Sequence, residues 1–156
     1  MLKLRDVVNS VCDYLEKTEG YKIPSRWPGH LTIFANHPDG GRLILDAYGE
    51  NLWVTEKQTG PRGTAPDKVM NEQESLDCVA RAFLKAACKL DGNSRQDGDI
   101  IAMAFPFTNS FWKYLKPLKG TLDRLGIVIF FVGGDKSVMK YDSNQPSHPP
   151  RLPLEA

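Results

Sequence analysis

The 156-residue chain lacks the features that would mark several large protein classes. Its three cysteines, Cys12, Cys78 and Cys88, are an odd number at no metal-binding spacing. They read as reduced, mostly buried thiols rather than a disulfide framework. The three histidines, His30, His37 and His148, show no ligand spacing either. No apolar run reaches the ~20 residues that a membrane span requires, so no membrane partner is expected. Residues 1–6 are charged and carry no apolar signal core, which makes the cytoplasm the expected location. Neither sign of charge dominates: 20 Lys and Arg stand against 19 Asp and Glu, a net charge of +1. Dedicated nucleic-acid binders are usually strongly basic, so any such surface here must be a local patch. No internal repeat is present, and Gly133-Gly134-Asp135-Lys136-Ser137 lacks the leading glycine and the following helix of a phosphate-binding loop.

What remains is an ordinary globular composition, 41% hydrophobic and 25% charged, in a chain of one-domain length. Leu4, Val7, Val8, Val11, Cys12 and Leu15 recur at three- and four-residue steps and predict a helix that ends at Gly20. Three strands follow by pattern, 30–36, 42–47 and 51–58. Pro38-Asp39-Gly40-Gly41 reads as the first turn and Tyr48-Gly49-Glu50-Asn51 as a second, tight hairpin. After a Gly/Pro loop at 59–67, Asn71 and Glu74 form a capping-box pattern. Leu76, Val79, Ala80, Phe83, Leu84 and Ala87 give the strongest helical stripe in the chain. A buried strand is predicted at 99–105. A third helix has Thr108 or Asn109 as its cap and Phe111, Trp112, Leu115, Leu118, Leu122 and Leu125 as its inner face. Pro117 kinks or splits it, and Gly126 ends it. A last apolar strand spans 127–132, with a weak edge strand near 138–141. Residues 1–141 are therefore expected to form one α/β domain of order α-β-β-β-α-β-α-β. The tail 142–156, with four prolines, is expected to be disordered.

Asn51-Leu-Trp-Val-Thr-Glu56-Lys57-Gln58 is the stretch with chemical content. Here a strand ends in a carboxylate, then Lys and Gln, then a Gly-rich loop and a helix. With the helix and meander before it, this resembles the restriction-endonuclease-like (PD-(D/E)XK) superfamily over roughly residues 4–132, with a degenerate motif. The resemblance implies a three-layer α/β/α fold with a mixed sheet, in which the strand of Glu56 lies beside the strand at 100–105. It also implies a Mg²⁺- or Mn²⁺-dependent nuclease or nuclease subunit acting on DNA in repair, restriction or defence. The alternative is a catalytically inactive relative that serves as a binding or regulatory subunit. A protein partner or a homodimer is compatible with either.

In that superfamily an Asp and the Glu of a Glu-x-Lys pair hold the metal, which lowers the pKa of a bound water. Glu56 matches the Glu. Gln58 stands at the Lys position, and Lys57 lies on the opposite face of the strand. Two aspartates compete for the remaining place. With a two-residue turn at Gly49-Glu50, Leu43 lies opposite Glu56 and Asp46 points to the other face; a three-residue turn would bring Asp46 round. Asp39 has the correct parity but lies about 13 Å along the strand unless its turn curls back. The candidate site is thus Glu56, Gln58 and Asp39 for catalysis, with Glu56, Asp39 and Asp46 for the metal. Glu16 and Glu19 read as solvated helix carboxylates, and Gln73 as a polar first-turn residue. Lys113, Lys116, Lys119 and Arg124 form a basic strip on the third helix that reads as a solvated face. Arg62 and Lys68 flank the loop after Glu56 and are better placed for a phosphate.

Overall fold

The computed structural model describes residues 1–25, 32–51, 69–92 and 95–141. Its first element is α1 (Leu4–Lys17), followed by the strands β1 (Thr32–Asn36) and β2 (Arg42–Ala47). Next come α2 (Glu72–Leu90) and β3 (Ile100–Pro106). The helical stretch after β3 is α3 (Asn109–Leu115), a 3₁₀ turn (Lys116–Leu118) and α4 (Lys119–Leu125). The strands β4 (Val128–Val132) and β5 (Val138–Tyr141) complete it. The five strands form one mixed sheet in sequential order. β1–β2 and β4–β5 pair antiparallel, whereas β2–β3 and β3–β4 pair parallel.

Alternation along the strands divides the core in two. Leu43, Leu45, Ala47, Ala102, Ala104, Phe130 and Val132 point to one face, where α1 buries Val7, Val8, Val11, Cys12 and Leu15 against them. Ile44, Ile101, Met103, Phe105, Ile129 and Phe131 point to the other, under α2, α3 and α4. Phe107, Trp112, Phe131 and Tyr141 meet edge to face or tilted there, with ring centroids 5.3–5.9 Å apart. Helices therefore cover both faces of the sheet.

Local signals account for most element ends. The side chain of Asn71 accepts from the Glu74 amide at 2.8 Å, and Glu74 accepts from the Asn71 amide in return. Thr108 caps α3 by accepting from the Phe111 amide. Pro117 falls in the 3₁₀ turn that separates α3 from α4. Gly126 adopts φ +72° and closes α4 in the left-handed region. At the N-terminal end of the parallel strands, Arg42 holds Asp99 in a two-pronged ion pair of 2.7 and 3.1 Å, joining the starts of β2 and β3.

The expected second hairpin is corrected. Tyr48-Gly49-Glu50-Asn51 is a corner, not a turn between paired strands. The Tyr48 amide donates to the carbonyl of Ala104, extending the β2–β3 pairing. The Glu50 amide donates to the Leu2 carbonyl, the Leu2 amide donates to the Glu50 carboxylate, and Asn51 Oδ1 accepts from the Leu4 amide at 3.3 Å. The corner thus satisfies amides at the start of α1 that the helix cannot bond itself. Gly49 is required by this packing: a Cβ would collide with the backbone of Leu4 and the side chain of Asn51.

The pairing of β2 bears on the strand order. β1 lies along one of its edges and β3 along the other, while β3 is held between β2 and β4. Both edges of β3 are taken by described strands, and Glu56, whose strand is expected beside 100–105, lies outside the described residues. The order among the described residues is α-β-β-α-β-α-β-β, with residues 52–68 and the tail 142–156 outside them.

Two glycines give opposite expectations. Gly49→Ala should destabilise the fold by about 1–3 kcal/mol through overpacking. Gly120→Ala, in α4 with open space around the new Cβ, should stabilise it by about 0.5–1 kcal/mol. Urea unfolding of the two variants beside the wild type measures both.

Candidate functional site

Asp46 is the one buried carboxylate near the C-terminal end of β2, with 3% of its surface exposed. It shares the parity of Ile44 and so faces α2. Its Oδ1 accepts from the Thr32 hydroxyl of β1 at 2.6 Å. Its Oδ2 accepts from the Lys89 ammonium, which reaches it from the last turn of α2. A neighbouring strand and the covering helix therefore each supply a donor. Such a pair recovers by hydrogen bonding part of the cost of taking a carboxylate out of water.

Two residues further on, the ring of Tyr48 stacks on Phe105 with centroids 5.0 Å apart. Its phenol oxygen is buried without a hydrogen-bond partner among the described residues. Burial raises the phenol well above its ordinary pKa, and the charge of Asp46 adds to that. Cys78 of α2 is close enough to act on Tyr48. Burial pushes its own thiol pKa up to about 12, so it is a protonated, unreactive cysteine at neutral pH.

The other expected residues are dispersed. Asp39 lies in the β1–β2 turn at the opposite end of β2, with 91% of its side chain exposed and His37 3.7 Å away. The four residue steps from Arg42 to Asp46 alone separate the two aspartates by about 13 Å. Glu16 is exposed on α1. Glu19 accepts from the Tyr14 hydroxyl at 3.3 Å and lies 3.9 Å from Lys140. Gln73 donates to Asp77 on the surface of α2. In the basic strip Lys113 pairs with Glu72 and Lys119 with Asp123. Lys116 lies over the ring of Trp112 at 5.9 Å, and Lys119 over Tyr141 at 4.6 Å. Glu56, Lys57, Gln58, Arg62 and Lys68 lie outside the described residues. So do His30 and His148. The segment that carries Glu56 leaves at Asn51 and returns at Val69, which form an antiparallel bridge, while the Met70 amide donates to the Glu50 carbonyl.

Among the described residues, no three His, Cys, Asp or Glu side chains group as metal ligands. No described helix is long and apolar enough to cross a membrane. The chain matches no family model, no curated protein and no solved structure.

Sequence reasoning passed over Lys89 and Thr32. Lys89 reads as an ordinary basic residue at a helix C-terminus, and Thr32 as a strand hydroxyl. Only the register Thr32↔Asp46 and the path of α2 across the sheet bring them to one carboxylate.

Removing one partner of Asp46 leaves a buried charge unsatisfied. Lys89→Met should cost about 3 kcal/mol, the low end for a broken buried pair because Lys89 keeps 29% of its side chain in solvent. The double variant Asp46→Leu/Lys89→Met should recover most of that loss in the same unfolding assay. A second test uses Asp99, whose carboxyl is held below its ordinary pKa by the hydrogen bonds from Arg42, opposed by burial and helped by the Gln96 amide. A depressed carboxyl stabilises the fold above its unfolded pKa, and the contribution disappears as pH falls through the folded value. Asp99→Asn should therefore be less stable than wild type at pH 7, and the difference should shrink below about pH 4.

Proposed function

We propose that this chain is a nuclease-type protein of restriction-endonuclease-like layout that acts on DNA, with Asp46, Glu56 and Lys89 as its chemical centre. The placement of Asp46 supports this best. It is a buried carboxylate at the end of β2 from which the segment bearing Glu56 departs. Glu56 follows Asn51 by five residues, a tether of at most about 18 Å. Asp39 lies at the other end of the strand, so Asp46 is the better of the two candidate partners.

The order of elements supports the same reading. A helix, an antiparallel hairpin, a crossover helix and a parallel strand follow one another as α1, β1–β2, α2 and β3. Lys22 adds a single antiparallel rung to the outer edge of β1, bonding Asn36 at 2.8 Å in both directions. On this alignment β2 takes the third-strand position of the superfamily, so Asp46 replaces Glu56 at the motif's Glu and Glu56 becomes the second carboxylate. Tyr48 then stands two residues on, where a lysine belongs, and Lys89 supplies the missing ammonium from α2.

Two carboxylates are hard oxygen donors of the type that Mg²⁺ and Mn²⁺ prefer. Such an ion, when bound, supplies an acidified water and charge stabilisation for phosphodiester hydrolysis. Asp46 would need Lys89 to swing aside to receive it, and the freed ammonium could then orient the attacking water or pair with the scissile phosphate.

A second reading, a binding or regulatory subunit without hydrolysis, is favoured by one observation. Both oxygens of Asp46 already accept hydrogen bonds within the protein.

Millimolar Mn²⁺ decides between the two. At a hundred times its dissociation constant, a bound ion stabilises the fold by about 2.7 kcal/mol, which raises Tm by about 5–10 °C. Glu56→Ala and Asp46→Asn should each abolish the shift, whatever they do to the metal-free Tm. Wild type should cleave single-stranded, duplex or branched DNA under the same conditions. A Tm indifferent to Mn²⁺ with all three substrates intact replaces the nuclease reading with the second one.

A further inference from the structure

Helix α2 has more apolar surface than the sheet consumes. Its buried side is the narrow row Ser75, Val79, Ala82 and Ala86. Of the expected stripe, Val79 is buried and Phe83 packs against the core, whereas Leu76, Ala80 and Leu84 face outward. Leu84 is 64% exposed, Leu76 is 38% exposed, and Ala80 between them is exposed too. These three residues follow one another at four-residue steps, and with half-buried Ala87 they form one line over roughly 16 Å of helix. Exposed leucines in a row, beside a face already packed, have the pattern of a helix with a partner on each side.

We propose that this outer face of α2 is where a second copy of the chain docks, as an antiparallel helix pair with its twofold axis at Ala80. The sequence of the stripe is self-complementary in that register. Ala80 meets Ala80 of the second copy, which permits close approach at the crossing point. Leu76 meets Leu84 on either side of it, and Gln73 meets Ala87 beyond. Charge agrees with the same register. Asp77 and Arg81 lie on one flank of the stripe, both exposed. An antiparallel twofold brings Asp77 within about 3 Å, along the axis, of Arg81 of the second copy. The symmetry makes this contact twice, with opposite charges each time. A register shifted by one turn, with Ala80 against Leu84, would instead oppose Arg81 to Arg81.

Sedimentation velocity over a range of concentrations tests the proposal. Wild type should show a concentration-dependent monomer–dimer equilibrium, and Leu84→Lys should be monomeric throughout with an unchanged circular dichroism spectrum. Asp77→Arg and Arg81→Asp should each weaken the dimer at least about fivefold, as expected for two exposed ion pairs lost together. The double exchange Asp77→Arg/Arg81→Asp should restore it. Ala80→Cys in a Cys88→Ser background should form a disulfide-linked dimer under mild oxidation, because the twofold places the two new side chains opposite each other. A wild type that stays monomeric at every concentration overturns the proposal. So does a double exchange that fails to restore association, or an Ala80→Cys variant that stays unlinked. Removal of residues 142–156 that newly produces a dimer would also overturn it, by showing that the tail occupies the stripe in the intact chain.

Discussion

The direct parallel pairing of β2 with β3 governs the rest of the molecule. Once Leu43–Ala47 lie against Ile100–Ala104 and β1 takes the other edge, β2 has no free backbone left. Just past its end, Asn51 and Val69 meet in an antiparallel bridge, and the Met70 amide donates to the Glu50 carbonyl, at one corner of the sheet. The β2–β3 pairing also sets the direction of α2. A right-handed crossover from β2 to β3 carries the helix back over one face, and this brings Lys89 to Asp46. A fold in which 51–58 separated the two strands would move α2 by a strand's width and separate that pair.

The sequence showed the elements more clearly than their partners. The helical stripe from Leu4 to Leu15, strand 42–47, the Asn71–Glu74 cap, the break at Pro117 and the stop at Gly126 all appear where local chemistry puts them. The corner at 48–51 was illegible for a physical reason. Glycine there suits a tight turn, yet it equally suits close packing, and the atoms it approaches belong to Leu4, some 45 residues away. Period-2 patterning gives a strand's faces but says nothing of which edges are filled. The stripe on α2 was misplaced by about a quarter of a turn because its leucines outweigh alanine and serine in any hydrophobic pattern. The sheet takes Val79 and the small side chains Ser75, Ala82 and Ala86, which let the helix come close.

The candidate site was legible in the same partial way. Asp46 was visible as a carboxylate, but the geometry that weighs it against Asp39 is a matter of which end of β2 each occupies. Its two donors come from positions 14 residues before and 43 residues after it in the chain. Neither spacing forms a motif. The near-zero net charge is also better understood in three dimensions. Lys113 and Lys119, which look like a basic strip in sequence, each have an acidic neighbour, so that face of α3 and α4 presents mixed charge. A phosphate backbone would gain little there.

α2 thus carries three separable loads on three sides. Small residues lie against the sheet, Lys89 closes the charge of Asp46, and a leucine stripe faces outward. The first load explains the other two. Only a helix seated closely on the sheet lets a lysine in its last turn reach back to a strand carboxylate. Seating the helix on Ser75, Val79, Ala82 and Ala86 necessarily rotates Leu76 and Leu84 away from the core. The packing of the chain on itself leaves Leu84 64% exposed, so its side chain contributes little burial where it stands. Leucine at that position is therefore better explained by something that covers it than by the packing of the chain on itself.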